Sequence, residues 1–316
     1  MEETLSNDSV SRIDYRSNSL LRLTVRRIFK QRSALVGMSI LGLLVLVAIF
    51  APFIAPYDPT QDFIDAGNVT KRQAPCIHLL GCPEDQPQHI MGVDGNFRDE
   101  YSRVIFGSRV SLFIGFTTIG LAIIVGTVIG AVAGYVGGTT DNVIMRLMDV
   151  VLAFPSFLLA IAIITVLGRG LQNALLAIAI VNIPQFARVV RASVLSVKEA
   201  DYVSASRSLG ASHFRVLFLR ILPNAIPPLI VQGTLGIAGA ILEAAALSFL
   251  GLGAQPPTPE WGTMLGSERN QVFTAPHLVF YPGIAIMITV LAFNLLGDGL
   301  RDALDPRLVG EKLVGR

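Results

Sequence analysis

Six stretches of the chain consist largely of hydrophobic residues and contain no lysine, arginine, aspartate or glutamate. They cover residues 34–57, 110–140, 150–168, 170–187, 221–242 and 270–297. An α-helix needs about 20 consecutive, mostly apolar residues to cross the hydrocarbon core of a bilayer. The pattern therefore predicts an all-α polytopic membrane protein with six transmembrane helices.

The composition also indicates a membrane protein. Of the 316 residues, 52% are hydrophobic and only 15% are charged, whereas soluble domains have about 25% charged residues. A polar tail precedes the first apolar stretch and no small-residue cleavage site follows it, so that stretch is interpreted as a retained anchor. The net charge of +2 does not indicate a nucleic-acid partner, and none is expected.

Lysine and arginine concentrate in three segments: the N-terminal tail, the connection between the fourth and fifth stretches, and the C-terminal tail. Such residues favour the cytoplasmic side of a membrane. Six spans would bring all three segments to that side, with both termini in the cytoplasm. The predicted organisation is a cytoplasmic tail at 1–33, the first span at 34–56, an extracytoplasmic loop at 57–103, a core of the other five spans at 104–300 with a cytoplasmic loop at 188–223, and a cytoplasmic tail at 301–316.

The cytoplasmic loop contains the pattern of two short amphipathic helices. Ser196 and Glu199 have capping-box spacing, and acidic residues at Glu199 and Asp201 suit a helix N-terminus. The spacing predicts that a first helix begins there. One face of that helix would carry residues at i, i+3, i+4 and i+7, namely Tyr202, Ala205, Ser206 and Leu209.

A turn and a second helix follow in the sequence. Gly210 can adopt a positive φ that ends the first helix, and Ser212 can cap the second. Pro223 marks the junction with the fifth span. The second helix would carry an apolar stripe of Phe214, Leu217, Phe218 and Ile221. Such a loop either lies on the inner leaflet with its basic residues towards lipid phosphates, or inserts into a groove of a cytoplasmic partner.

The same loop resembles the cytoplasmic EAA loop of ATP-binding-cassette importer permeases. That loop reads Glu-Ala-Ala, three residues, Gly and then Leu-Pro. The matching positions here are Ser204-Ala205-Ser206, Gly210 and Leu222-Pro223, with serine in place of the glutamate and of the second alanine. Four further stretches, 107–115, 134–161, 245–265 and 281–307, are similar to the C-type permeases of dipeptide and oligopeptide importers. The resemblance covers most of residues 34–308.

The extracytoplasmic region departs from the resemblance. Where this family tends to have Gly-Arg-Asp before Ser-Arg, the present chain has Phe97 before Arg98 and Asp99. The segment at about 66–88 is also longer than usual for the family. We therefore transfer no receptor or substrate contact to this region from the resemblance.

The resemblance implies the fold and the machinery. It predicts the type I importer permease fold in a bacterial cytoplasmic membrane, and the function of a permease subunit in an ATP-driven importer of dipeptides or oligopeptides. The expected partners are a homologous second permease, two ATP-binding subunits, an extracytoplasmic peptide-binding protein and the lipid bilayer. Each permease forms half of the translocation pathway. The residues expected to contact the ATPase are Tyr202, Ser204, Ala205, Ser206, Arg207, Gly210, Ala211, Ser212, Phe214 and Pro223.

This chain is not expected to be an enzyme. A phosphate-binding P-loop requires Gly-Lys followed by Ser or Thr, and the sequence has no Gly-Lys pair. ATP and Mg²⁺ are therefore expected on partner subunits, with no cofactor on this chain. Nickel, glutathione or another small solute is the alternative cargo. An ion-gradient-driven transporter is the alternative class, and would need intramembrane charges in paired broken helices. The spans offer little beyond Glu243 and Asp149, and Asp149 is expected to be structural because Arg146 is close to it on the same helix.

Four further residues carry alternatives. Cys76 and Cys82 lie in the extracytoplasmic loop, where a disulfide is favoured over free thiols or a metal site with His78 or His89. Glu243 in the fifth span faces the substrate path, where it would meet a peptide's amino terminus, or pairs structurally with the second permease, or lies near the membrane interface. Trp261, the single tryptophan, either anchors the chain at the membrane interface or contacts the binding protein.

Overall fold

A computed structural model describes residues 28–65 and 68–304. Most of the predicted tails at 1–33 and 301–316, and residues 66–67 of the long extracytoplasmic segment, lie outside the described residues. Helices dominate, and the described residues contain only isolated β-bridges and no strand. The helices are α1 Arg32–Ile54, α2 Glu100–Val136, α3 Gly138–Leu152, α4 Ser156–Leu167, α5 Leu171–Val197, α6 Asp201–Ser208, α7 His213–Val216, α8 Leu222–Phe249, α9 Trp261–Glu268 and α10 His277–Leu304.

Five helical units are long and apolar enough to cross a membrane: α1, α2, α5, the continuous α7–α8 unit and α10. The predicted third span, 150–168, is not one straight helix. α3 and α4 meet at an angle of 89°, with Pro155 directly before α4. Proline lacks a backbone N–H and disfavours helical conformation in the residue before it. The pair counts as a sixth span only when its two bent parts are taken together.

The packing of α2 against α5 shows why the chain needs this bent pair. Gly126 lies against Phe186, and Gly134 lies against Val194, so the contacts advance in the same direction along both helices. α2 and α5 are therefore parallel, and α3–α4 must return the chain to the other side. Small residues permit the close approach, since a Cβ on Gly130 would lie 2.2 Å from the carbonyl oxygen of Ala187.

The remaining spans complete the bundle as antiparallel neighbours. Gly115 of α2 packs against Ile237 and Ile241 of α8. At the other side, Gly37 of α1 lies against α10, where an added Cβ would be 2.6 Å from the backbone nitrogen of Leu296. Together with the parallel α2–α5 pair, these contacts show that successive spans alternate in direction. Six such crossings would place the basic segments on the same side of the membrane.

The outer ends of the helices are covered by residues 57–65, 68–99 and 250–276, which we call the outer cap. Asp94 lies at its centre, 2.7 Å from Arg98 and 3.5 Å from Arg103, and all three side chains are buried. Asp99 caps α2 by accepting from the backbone N–H of Ser102 at 2.7 Å. Buried charges require such partners to offset their desolvation, so this part of the molecule is held in one arrangement.

Phe97 occupies an unusual backbone position in the outer cap. Its φ is +59°, in the left-handed region that costs a residue with a side chain about 1–2 kcal/mol. The Asp94 carboxylate accepts from the N–H groups of Asn96 and Arg98 on either side, and the ring packs against the buried side chains of Phe63 and its neighbours. These contacts explain how phenylalanine is accommodated where the resembling permeases tend to have glycine.

Trp261 is placed differently from either expectation. Its side chain is 1% exposed, its indole N–H donates to the carbonyl oxygen of Val104 at 3.0 Å, and the ring lies directly over Gly107. A buried tryptophan can neither anchor in lipid nor contact a binding protein, so both interpretations are wrong. Beside it, Glu260 caps α9 by accepting from Gly262 and Thr263, and burial raises the pKa of its carboxyl group.

Cys76 and Cys82 form a disulfide in the structure. His89, one of the residues considered for a metal site, is fully buried and its Nδ1 lies 2.8 Å from the Asp99 carboxylate. Among the residues that the structure describes, no cluster of three or more His, Cys, Asp or Glu side chains is arranged to hold a metal. The disulfide closes a small loop whose Leu79 is 93% exposed.

Candidate functional site

The cytoplasmic loop connects α5 to α8, and its first helix begins later than the sequence predicts. α5 continues to Val197, so Ser196 lies inside that helix and forms no capping box with Glu199. α6 begins at Asp201, and its N-cap, Ala200, makes no side-chain hydrogen bond. The helix-forming α5 sequence outcompetes the local capping signal, although Asp201 still supplies the predicted negative charge at the N-terminus.

The turn after α6 follows the prediction closely. Gly210 has φ +81°. Its N–H donates to the carbonyl oxygen of Arg207 at 2.9 Å, and the N–H of Ala211 donates to the carbonyl oxygen of Ser206 at 3.2 Å. The two hydrogen bonds together form a Schellman motif. Ser212 then caps α7 by accepting from the N–H of Arg215 at 3.4 Å. Two carbonyl groups at the end of α6 and one N–H group at the start of α7 therefore find partners within the loop itself.

The inward side of the loop is attached to the bundle. Val203 of α6 and Val216 of α7 are fully buried and belong to the main hydrophobic core. Tyr135 at the inner end of α2 lies 2.8 Å from His213 through its hydroxyl group, and the Arg207 guanidinium lies over the Tyr135 ring at 5.6 Å. The pattern-based face of α6 missed Val203, because the sequence does not show which side of a short helix meets the bundle.

A π-helical turn, Leu217–Ile221, joins α7 to α8. Pro223, at the start of α8, has no N–H to donate, and the wider turn keeps the helix continuous across this position. The Asn224 side chain donates to Arg220 O at 2.8 Å and to the Tyr202 hydroxyl at 3.1 Å. Tyr202 is therefore linked to the base of α8, and movement of α6 would be transmitted to that span.

The outward side of the loop is apolar and exposed. We call this surface the loop edge; it comprises Tyr202, Leu209, Phe214, Phe218 and Leu219. Leu209 is 89% exposed and Phe214 is 71% exposed, and the rings of Phe214 and Phe218 stack with centroids 4.3 Å apart. The predicted stripe of α7 is divided accordingly: Ile221 is buried in the bundle, whereas both phenylalanines face outward.

The other residues expected to contact the ATPase surround this edge. Ser204, Ala205, Arg207, Ser212 and Pro223 are exposed, while Ser206 and Ala211 are half-buried. Val203, Val216 and Ile221 attach the loop to the main hydrophobic core, whereas Phe214 and Phe218 remain exposed to another surface.

Two ion pairs between α3 and α5, on the inner side of the bundle, were not predicted from the sequence. Arg191 of α5 makes two hydrogen bonds to Asp141 of α3, at 2.5 and 2.6 Å. Arg188 lies 2.6 Å from Asp149. Asp149 therefore belongs to a structural pair between helices and gives no support to an ion-coupled pathway. The pairs join α3 to the end of α5 that leads into the loop.

Glu243 is the remaining candidate and lies within α8. Its carboxylate accepts from the Ser156 hydroxyl at 3.3 Å and from the Asn182 amide at 3.5 Å. Three different helices thus contribute to one polar cluster among apolar spans. The sequence identified the glutamate but not Ser156 or Asn182, because the bend before α4 brings Ser156 to it.

The fold defines the class of the protein: a helical membrane bundle with a structured helix–turn–helix loop between α5 and α8. Residues 126–310 match the family described as binding-protein-dependent transport system inner membrane component. Residues 19–75 match the N-terminal transmembrane domain of oligopeptide transport permease C. The chain belongs to the binding-protein-dependent permease family, as the sequence resemblance predicts.

Named relatives cover nearly the whole chain. It is 45% identical over 294 residues to the dipeptide transport system permease protein DppC of Alkalihalophilus pseudofirmus, covering 93% of this chain and 92% of that protein. The identity is 48% over 277 residues to the di/tripeptide transport system permease protein DppC of Pseudomonas aeruginosa, covering 88% and 89%. It is 46% over 285 residues to the glutathione transport system permease protein GsiD of Escherichia coli, covering 90% of each.

A solved structure confirms the predicted fold. A chain of the MetNI methionine ABC transporter in an inward-facing conformation is similar with a TM-score of 0.54 and 18% sequence identity, covering 64% of this chain and 96% of that one. The similarity at this identity concerns the architecture alone. The type I importer permease fold therefore describes the bundle.

Proposed function

We propose that this chain is the permease subunit of an ATP-driven importer of dipeptides or oligopeptides in the bacterial cytoplasmic membrane. It forms half of the translocation pathway with a homologous second permease. Two ATP-binding subunits hold ATP and Mg²⁺, and an extracytoplasmic binding protein delivers the peptide. The dipeptide and di/tripeptide permeases among the relatives support this cargo.

The exposed loop edge is the observation that carries the proposal. Leu209 and Phe214 present large apolar side chains next to the Gly210 turn, while the opposite side of the loop is fixed to α2 and α8. Burying one such side chain contributes about 1.5–3 kcal/mol. A short helix with an exposed apolar face fits helix-in-groove recognition. The partner that occupies this edge is the ATPase, through which closure on ATP moves α6 and α8 together.

Apolar side chains on α3 and α4 support a second permease as a partner. Leu147, Val150, Phe154 and Leu158 are all more than half exposed in the single chain. They lie along α3 and α4, and Phe154 lies in the break before Ser156. A homologous subunit that packs here would cover them and place the bent pair next to the shared pathway.

Substitution of Gly210 tests the coupling role. Gly210→Val introduces a β-branched residue at φ +81°, where the left-handed conformation costs a residue with a side chain about 1–2 kcal/mol. We expect ATP-dependent peptide uptake to fall about tenfold or more. Uptake is measured in proteoliposomes that contain the complete complex. Gly210→Asn is the matched control, since asparagine tolerates this conformation, and it should keep most of the uptake.

Two outcomes would overturn the proposal. Unchanged uptake by the Gly210→Val complex would show that the loop does not transmit the work of ATP. Uptake by the isolated chain, driven by an ion gradient without ATP, would place it in the secondary-transporter class instead.

Glutathione is the second candidate cargo, because the GsiD permeases are as similar to this chain as several dipeptide permeases are. Competition separates the two. Unlabelled dipeptides should reduce the uptake of a labelled dipeptide, whereas glutathione should not at the same concentration. The opposite order of competition would assign glutathione as the preferred cargo.

A further inference from the structure

Glu243 lies inside the membrane-spanning bundle, in the outer half of α8. α8 ends at Phe249, so Glu243 is about 9 Å from the outer end of its helix at 1.5 Å per residue. α4 begins at Ser156 and has 12 residues, so it rises about 18 Å to its outer end, and Asn182 is reached after a similar length of α5, which starts at Leu171. The outer ends of α4 and α5 are joined by only Gly168–Gly170. The cluster therefore lies below the outer surface of a hydrocarbon core of about 30 Å.

The carboxylate at this depth has incomplete compensation. Its two hydrogen bonds, at 3.3 and 3.5 Å, come from neutral groups and are long. In the described part of the chain, no lysine, arginine or histidine nitrogen pairs with it; the ion pairs involve other carboxylates. An ionisable side chain within a membrane is costly and faces an aqueous path or a charged partner.

The cluster borders a surface of α4 that no other part of the described chain covers. Ser156 is exposed, and Phe154 before it is 56% exposed. The broken α3–α4 segment is thus adjacent to space that this chain does not fill. Discontinuous helices near the bilayer midplane commonly form substrate sites in transporters. Hydroxyl, amide and carboxylate oxygens in one cluster suit a cation with several N–H donors.

We propose that Glu243, positioned by Ser156 and Asn182, is a transient binding site for the α-ammonium group of a peptide in the translocation path. The inference rests on the proposed function and adds a chemical requirement to it: the permease itself recognises the free amino terminus after release from the binding protein. A primary ammonium offers three donors, which matches the oxygen atoms present. The carboxylate would then be compensated while the cargo passes.

The experiment compares two forms of one peptide in the complete complex. Proteoliposomes receive ATP inside and binding protein outside, saturated either with a dipeptide or with its N-acetyl form, so that delivery does not limit the rate. The wild-type complex should transport the free peptide faster. Glu243→Gln should reduce that rate about tenfold or more, the usual value of a charge-assisted hydrogen bond, and leave the rate of the acetylated peptide unchanged.

Two further variants control for charge and for folding. Glu243→Asp keeps the charge and should retain the preference for the free amino terminus. Asp302→Asn makes the same carboxylate-to-amide change at an exposed position at the inner end of α10 and should behave as wild type. Co-purification of the second permease and the ATPase with each variant shows that assembly is intact.

The outcomes separate this inference from the proposed function. Equal slowing of both peptides by Glu243→Gln, or no slowing of either, would overturn the inference while import itself stands. Loss of the second permease from the Glu243→Gln complex would also overturn it, since the glutamate would then pair with that subunit. A wild-type complex that imports neither peptide would overturn the proposed function and this inference with it.

Discussion

The two ends of the bundle differ in how their polar and apolar groups are arranged. In the outer cap, the charged side chains of Asp94, Arg98 and Arg103 are buried and paired, and the largest aromatic side chain, Trp261, is 1% exposed. In the cytoplasmic loop, Leu209 and Phe214 are mostly exposed. The charged groups there lie on the surface as well. Exposed apolar side chains occur at both ends, since Leu79 of the outer cap is 93% exposed and Leu209 of the loop is 89% exposed. The difference is that the outer cap also buries paired charges, whereas the loop carries its apolar residues as one edge around a capped turn.

This difference indicates separate tasks. A dense set of buried pairs and a buried indole allow one arrangement only, because each unpaired charge would be costly. The outer cap therefore fixes the ends of α2, α9 and α10 relative to one another. An exposed apolar edge on a well-capped loop gains stability only when another surface covers it. The first arrangement stabilises this chain, and the second suits the contact with the ATPase that we propose above.

Replacing Trp261 should have the largest effect on the outer cap. Trp261→Ala removes a buried indole and leaves the Val104 carbonyl without its donor, so we expect a loss of about 3–5 kcal/mol in the free energy of unfolding. Thermal unfolding of the purified complex measures this loss. Trp261→Phe keeps most of the buried area and should lose clearly less. Equal stability of the alanine variant and wild type would show that the outer cap does not support the bundle.

Removing the disulfide should have an intermediate effect. Replacing both Cys76 and Cys82 by serine opens a loop with a sequence separation of 6, and we expect about 2 kcal/mol of lost stability from the larger freedom of the unfolded chain. The midpoint of thermal unfolding should fall, and adding a reductant to wild type should reproduce the shift. Uptake well below the midpoint should persist. A loss of uptake without a change in stability would instead assign this loop a role in transport.

Changing the loop edge should have the smallest effect on stability and a selective effect on transport. Leu209→Asp alters an exposed position, so stability should stay within about 0.5 kcal/mol. ATP-dependent uptake should fall about tenfold or more, because a charge would have to be buried in the ATPase groove. Leu79→Asp is the matched control, since that leucine is 93% exposed on the outer cap, and it should keep its uptake.

The comparison would fail if both leucine variants behaved alike. Loss of uptake in both would mean that exposure does not distinguish the docking surface from the outer cap. Normal uptake in both, with the ATPase still co-purifying with the Leu209→Asp chain, would place the contact with the ATPase elsewhere.

Local features of the site were predictable from sequence. The Gly210 turn and the Ser212 cap depend on residues within a few positions of each other, and both are present as predicted. The capping box at Ser196 failed, although it is equally local, because α5 packs along α2 and its helix extends past that point. A local motif thus held where no neighbouring helix overrode it.

Contacts between distant segments were not predictable in this way. Asp141 pairs with Arg191, and Trp261 donates to Val104, across long separations in the chain. Nothing in the spacing of these residues specifies their partners. The same limit explains Glu243: its type and its place in the fifth span were visible, but its contacts with Ser156 and Asn182 depend on the bend between α3 and α4.

The sequence by itself determined the membrane class, the inner side and the cytoplasmic loop, because the absence of charge over about 20 residues and the position of arginines act through the bilayer. The tertiary structure decided which apolar residues are buried, which charges are paired and where the third span breaks. Those properties depend on how the helices pack against one another. The direction of each helix face, and not the composition of the helix, decides which residues become neighbours. Trp261 is buried and Leu209 exposed for that reason, although both are hydrophobic.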